Sequence, residues 1–121
     1  LMGAPGIYSA RYAGAGASDE QNLEKLLAAM ENVPDAQRTA RFQCLMVCMK
    51  HAEDPTPLIC QGTWEGSILR EARGAHGFGY DPVFLVPQKE CSSAELDPGT
   101  KNSLSHRAKA MACLVEKLTR Q

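Results

Sequence analysis

The sequence predicts an α/β chain of the α+β kind, with a mixed, largely antiparallel sheet flanked by helices, formed as a single domain over residues 1–121. Three observations predict it. Apolar residues recur at helical spacing near the start, at Leu23, Leu26, Leu27 and Met30. Short apolar runs of strand length, separated by turn-forming residues, fill the middle. A second helical pattern, with Ala110, Cys113, Leu114 and Leu118 on one face, closes the chain. Helix, strands, helix is the order of a sheet covered by helices.

Each element follows from local signals. The first eighteen residues are rich in Gly and Ala, with turn signals at Pro5-Gly6 and Gly14-Ala15-Gly16. They are too small to make a core alone, so the chain reads as cut into rather than naturally begun. Ser18-Asp19-Glu20-Gln21 reads as a capping box, starting an amphipathic helix over 19–31 that Pro34-Asp35 closes. Residues 42–49 form an apolar run suited to a buried strand. Residues 57–64 form a shorter, mixed one, and the polar stretch 51–56 between them predicts an antiparallel pair. That pair continues through Gly62 and Gly66 into Ser67-Ile68-Leu69, the glycines suiting bulges or a tight bend. A Gly-rich loop over 74–79 precedes a short strand over 83–86, which Pro87 stops. Residues 88–100 are polar and loop-like, with one helical turn at 93–96. The last helix begins at about Ser103. Trp64 is expected to pack on its strand, while Arg38 and Arg41, flanking the first long strand, read as solvated.

Composition excludes several functions. With 44% hydrophobic and 22% charged residues the chain is of ordinary soluble composition. A net charge of -1 gives no general pull toward nucleic acid, so a phosphate ligand must be met locally. No apolar run approaches the roughly 20 residues that span a bilayer. The opening Leu1-Met2-Gly3-Ala4-Pro5 lacks the pattern of a signal peptide, so a cytoplasmic location is expected. The five cysteines, Cys44, Cys48, Cys60, Cys91 and Cys113, are odd in number and contain no Cys-x-x-Cys. Buried free thiols are expected rather than a zinc site or a disulfide scaffold.

Two clusters could carry chemistry. The first is Gly74-Ala75-His76-Gly77-Phe78-Gly79-Tyr80-Asp81-Pro82. Its glycines admit close backbone approach, Phe78 and Tyr80 offer flat faces for a base, and Asp81 accepts from ring or exocyclic N–H groups. The same residues also read as a hairpin loop with Tyr80 in the core and Asp81 in an Asx-turn. The second is Lys101-Asn102-Ser103-Leu104-Ser105-His106-Arg107, at the mouth of the last helix. A helix N-terminus holds anions and carbonyl oxygens, and basic residues there oppose its dipole unless something electron-rich sits nearby. The alternative is that Ser103 or Ser105 merely caps the helix while Lys101 and Arg107 are solvated. His51 and His76 read as loop positions rather than a metal pair. Arg11 and Tyr12 suit a structural role as well as phosphate contact.

The combination of motifs resembles a known family. Ala4-Pro5-Gly6-Ile7-Tyr8-Ser9-Ala10-Arg11-Tyr12, then Phe78-Gly79-Tyr80-Asp81-Pro82, then Lys101 followed by Ser105-His106-Arg107, are similar in order and spacing to the RdgB-type inosine/xanthosine triphosphate pyrophosphatases. Ala52-Glu53-Asp54-Pro55-Thr56-Pro57-Leu58 resembles the bacterial branch. The resemblance implies hydrolysis of ITP, dITP and XTP to the monophosphate and pyrophosphate with Mg²⁺, by homodimers with an elongated two-lobed fold, here in truncated form. It implies a purine pocket lined by Phe78, Gly79, Tyr80 and Asp81, with Phe78 stacking on the base. Lys101 would contact substrate, and His106 with Arg107 would face the 6-oxo edge. Those residue types suit the task, because donors there are left unpaired against the 6-amino group of adenine.

In that family a Thr-Gly-Asn-x-x-Lys phosphate loop, an acidic metal ligand and an Asp-Asp-Ser-Gly segment all precede the motif that here occupies residues 4–12. None of them is in this sequence, so no catalytic residue is assigned. Asp19, Glu20, Glu53, Asp54 and Asp81 have no spacing that rebuilds a Mg²⁺ site. The absent part would supply the first strand of the sheet, leaving an edge and apolar surface exposed. Three accounts follow: a family enzyme of which this is a portion, a purine-nucleotide binder without turnover, and a dimerisation module that reuses the fold.

Overall fold

A computed structural model describes residues 1–120. The chain divides into two compact units, one of Leu1–Ala40 with Gly66–Asp97, the other of Arg41–Glu65 with the chain from Pro98 onward. Strands β1 (Thr39–Cys48), β2 (Leu58–Ile68), β3 (Phe84–Val86) and β4 (Cys91–Ser92) are hydrogen-bonded in that order, and the division falls within β1 and β2. β3 pairs antiparallel with β2 through Ser67↔Leu85 and Ile68↔Phe84, and with β4 through Leu85↔Ser92 and Val86↔Cys91. The largely antiparallel expectation holds for these pairs.

In the first unit, helix α1 (Asp19–Ala29) begins at the expected capping box. Ser18 Oγ accepts from the Gln21 N–H at 3.2 Å, and Gln21 Oε1 accepts from the Ser18 N–H at 2.8 Å. Asp19 and Glu20 in its first turn suit the positive end of the helix dipole. Leu23, Leu26 and Met30 bury their side chains with Val83, and Tyr12, Leu27, Val33, Ile68 and Tyr80 pack around them. Asn22 lies on the same buried stripe. Its Nδ2 donates to the Ala10 carbonyl at 2.9 Å and its Oδ1 accepts from the Ala13 N–H at 2.7 Å. One amide thereby fastens the end of the 3₁₀ segment Gly6–Arg11 beside α1.

Arg38, read from the sequence as solvated, is 3% exposed. Its guanidinium donates to the Met30 carbonyl at 2.5 Å, to Val33 at 3.4 Å, to Ile68 at 2.9 Å and to Leu69 at 2.9 Å. Met30 is the C-cap of α1, so the cation sits where the helix leaves carbonyls unsatisfied and its dipole is negative. Burial lowers the pKa of Arg38, nearby Arg70 lowers it further, and Asp35 acts in the opposite sense. Four carbonyls, rather than a carboxylate, hold the charge.

The second unit is a hairpin covered by helices. β1 alternates along its length, with Phe42, Cys44, Met46 and Cys48 half-buried and Arg41, Gln43, Leu45 and Val47 exposed. On β2, Cys60, Gly62 and Trp64 are buried while Gln61 and Glu65 face out. The outward faces pair, Gln61 Nε2 donating to Gln43 Oε1 at 3.0 Å and Arg41 meeting Glu65 at 3.1 Å. Here the solvated reading of Arg41 holds. The connecting turn closes on Asp54, whose carboxylate accepts from the Lys50 N–H at 3.0 Å and the Thr56 N–H at 2.9 Å. Those two bonds hold its carboxyl below the usual range.

The terminal helix is two helices. α2 (Pro98–Leu104) ends, and α3 (His106–Thr119) restarts with Ser105 as its N-cap, Ser105 Oγ accepting from the Ala108 N–H at 3.2 Å. α3 runs along β2 in the opposite direction: Lys109 Nζ donates to the Thr63 carbonyl at 2.9 Å, and Lys117 Nζ to the Ile59 carbonyl at 2.9 Å. Between them Cys60 and Cys113 form a disulfide with Cα atoms 5.9 Å apart. This corrects the expectation of five buried free thiols. Only Cys44, Cys48 and Cys91 are free, and each is partly exposed. Both Gly62 and Gly66 lie within the single strand β2. A Cβ at Gly62 would collide with the His106 carbonyl and come within 2.8 Å of the Ala110 nitrogen. The glycine serves close helix approach.

Candidate functional site

The residues singled out from the sequence lie in two places. Phe78, Gly79, Tyr80 and Asp81 belong to the first unit, while Lys101, His106 and Arg107 belong to the second.

In the first unit the loop is held by its own polar groups. Asp81 is buried, and its Oδ2 accepts from the Phe78 N–H at 2.9 Å. Gly77 has φ +80°, and a Cβ there would strike that same carboxylate. Glycine is therefore required twice over, by backbone conformation and by space. The Gly79 N–H donates to Asp19 Oδ2 at 3.1 Å, tying the loop to the first turn of α1. Tyr80 packs against the α1 core and its hydroxyl donates to the Ser9 carbonyl at 2.6 Å. Burial is the main cause that pushes its phenol up, with Tyr12 and Asp19 adding to it. The Phe78 ring, by contrast, is 56% exposed. Of this cluster, Asp81 and Tyr80 shape the loop, and Phe78 presents an apolar face to solvent. His76 is exposed, with its N–H donating to the Ala94 carbonyl at 2.9 Å. Arg11 stacks over the Tyr8 ring at 5.0 Å.

In the second unit Lys101 lies in α2, half-buried, its carbonyl accepting from the Ser105 N–H at 2.9 Å. His106 and Arg107 are the first two residues of α3, and no acid occupies its first turn. A helix start leaves N–H groups without helical partners and carries partial positive charge, so this entry favours an electron-rich group. Arg107 is exposed. His106 is half-buried, its imidazole stacked on the Phe42 ring with centroids 4.9 Å apart and planes 15° from parallel. Phe42 in turn meets Trp64 at 6.1 Å with a 34° tilt. Sequence reasoning missed Phe42 and Asn22 as supports. The available signals were Phe42 at the head of the alternating set Phe42, Cys44, Met46, Cys48, and Asn22 as a polar residue at i, i+4, i+8 with Leu26 and Met30.

Fold and residues define a mixed α/β protein whose last helix opens on His106 and Arg107. The model of the Ham1 family matches residues 1–117, and the chain belongs to that family. It is similar to the dITP/XTP pyrophosphatase of Vibrio parahaemolyticus, 64% identical over 121 residues, which are all of this chain and 60% of that protein. The dITP/XTP pyrophosphatase of Escherichia coli is 55% identical over 118 residues, 98% of this chain and 60% of that one. Among solved structures, a HAM1 protein from Coxiella burnetii superposes with a TM-score of 0.93 at 49% identity, covering 98% of this chain and 60% of its own. The Staphylococcus aureus Ham1 protein gives a TM-score of 0.87 at 40% identity, covering 96% and 58%. The chain thus spans about 60% of the length of the curated relatives it matches, corresponding to their C-terminal part.

Proposed function

We propose that the chain is a single-domain, base-recognising portion of a purine nucleoside triphosphate pyrophosphatase acting on ITP, dITP and XTP. The observation that carries this is the entry of α3, where His106 and Arg107 follow the Ser105 cap at the positive end of the helix. A 6-oxo purine brings an acceptor to such donors, and a 6-amino purine brings a competing donor. Phe78 offers the stacking face, Lys101 supplies further positive charge toward the substrate, and Gly79, Tyr80 and Asp81 hold the loop that presents Phe78. The names of the relatives, dITP/XTP pyrophosphatase, support the same substrates.

A divalent metal, Mg²⁺ in the family resemblance, does not fit the residues present. Among the described residues no three of His, Cys, Asp and Glu converge as a ligand set. That donor set favours a second reading beside the first, a chain that binds purine nucleotide, or serves dimerisation, without turnover. A homodimer and a cytoplasmic location complete the proposal. Among the described residues no helix is long and apolar enough to cross a membrane.

The test is thermal stability of the purified chain with ITP, XTP, ATP or no nucleotide, in Mg²⁺, followed on the same samples by pyrophosphate release. Stabilisation by ITP and XTP above ATP is expected. Release of pyrophosphate identifies an enzyme, and stabilisation without release a binder. Equal or absent shifts with all three nucleotides reject the recognition reading.

A further inference from the structure

We infer that Phe42 is a positioning residue for purine discrimination, acting through His106. The inference rests on the reading of His106 and Arg107 as the donors that meet the 6-oxo edge. It adds a residue of β1 that no motif of the sequence singles out.

Three observations converge on it. The Phe42 ring centroid lies 4.9 Å from that of the imidazole with the planes 15° from parallel, an offset stack against one face of His106. Phe42 is itself braced by Trp64, which is 2% exposed and fixed on β2. Gly62, on β2 two residues before Trp64, lets the backbone at His106 and Ala110 come so close that any side chain would collide. The backbone of His106 is thereby seated by Gly62 and its ring plane by Phe42.

The ring plane matters because of imidazole geometry. Both nitrogens donate or accept in the plane of the ring, so turning the plane turns the direction of the hydrogen bond. A partner that merely filled space would leave that direction open, whereas a parallel aromatic face fixes it. Arg107 follows directly in the same helical turn and shares the backbone seat. Phe42 touches no substrate in this account. It sets the angle at which His106 meets one.

The experiment compares the chain with Phe42→Leu and Phe42→Tyr, the latter keeping the flat face. The two readouts are the ring C–H resonances of His106 and the affinities for ITP and ATP by calorimetry without added divalent metal. His106 is one of three histidines, and a His106→Gln variant assigns its signals. Stacking displaces those resonances by ring current, so Phe42→Leu is expected to move them toward ordinary histidine values and Phe42→Tyr to keep them displaced. Phe42→Leu is also expected to lower the ITP-over-ATP preference by about threefold to tenfold, the range that an aromatic pair's coupling converts to. Phe42→Tyr should restore it.

Equal losses for ITP and ATP, or an unchanged preference while the resonances move, would overturn the inference, since a purely structural Phe42 gives either. Resonances that stay displaced in Phe42→Leu overturn the stacking itself. If Phe42→Leu proves unfolded by its melting curve, Phe42→Met, which also lacks the flat face, takes its place beside Phe42→Tyr. A parent chain with no ITP preference rejects the reading of His106 and Arg107, and the specificity role of Phe42 with it. The resonances then still report whether Phe42 sets the ring plane.

Discussion

The two units fix their candidate residues by different physics. In the first, the loop of residues 77–81 is held by directed polar contacts: Asp81 to the Phe78 N–H, Asp19 to the Gly79 N–H, and Tyr80 to the Ser9 carbonyl. In the second, His106 and Arg107 are held by how closely α3 lies on the hairpin, through Gly62, the Phe42 ring and the Cys60–Cys113 bridge. Hydrogen bonds are local and individually modest, so the first arrangement should loosen piece by piece. Close packing is all-or-none at the scale of a methyl group, so the second should fail abruptly.

The sharpest way to break the second arrangement is Gly62→Val. Its side chain must displace the α3 backbone at His106 and Ala110, and a loss of about 3 kcal/mol or more is expected in chemical denaturation. If this variant keeps its stability, helix approach at Gly62 is not what seats α3. In the first unit the counterpart is Arg38→Met. It keeps the apolar stem but takes the guanidinium from the carbonyls of Met30, Val33, Ile68 and Leu69, of which the first two also accept from the Val33 N–H and from Arg70, for an expected loss of about 2 kcal/mol. A neutral result would mean that those carbonyls find water instead.

Tyr80→Phe is smaller and depends on pH. Losing the bond to the Ser9 carbonyl should cost about 1 kcal/mol at neutral pH. The native phenol is raised above its ordinary value of 10.0, so the folded state holds its proton more tightly than the unfolded one. That contribution is complete below about pH 10 and is lost as pH climbs through the raised native value. The parent chain should therefore lose stability above about pH 10 more steeply than Tyr80→Phe, measured by denaturation at about pH 7 and about pH 11. Matching alkaline slopes would show that another group governs that range. Least of all should follow from Glu65→Gln. Its pair with Arg41 has both side chains well exposed, at 61% and 58%, and a change within about 0.5 kcal/mol is expected in the same denaturation assay.

The same contrast decides what the sequence made legible. α1 was readable to its first residue because capping boxes and Leu spacing are local, with Ser18 and Gln21 three residues apart. Trp64 was readable as a packing residue because alternation on a strand is local too. Arg38 was not. A charged residue before a strand reads as solvated, and two of its four acceptors lie about thirty residues away, at Ile68 and Leu69. Nor was the Cys60–Cys113 bridge, which joins residues 53 apart and is set by where α3 lies on β2. The restart at Ser105 is marked in the sequence by a residue suited to capping, but the apolar face beyond it hides the break. Of the candidate residues, motif spacing named Phe78 to Asp81 and Lys101, His106 and Arg107. Their surroundings came only with coordinates: Asp81 turned back on its own loop, and His106 stacked on a ring sixty-four residues earlier in the chain.

The central claim is that the entry of α3 reads the 6-oxo edge of a purine, and Arg107→Ala tests it most directly. Affinities for ITP and ATP should be measured for the parent and variant chains under identical conditions. A fall of about tenfold or more for ITP, with ATP binding little changed, is the predicted result. Equal losses for both nucleotides, or none, would contradict it and leave Arg107 a residue of the fold alone.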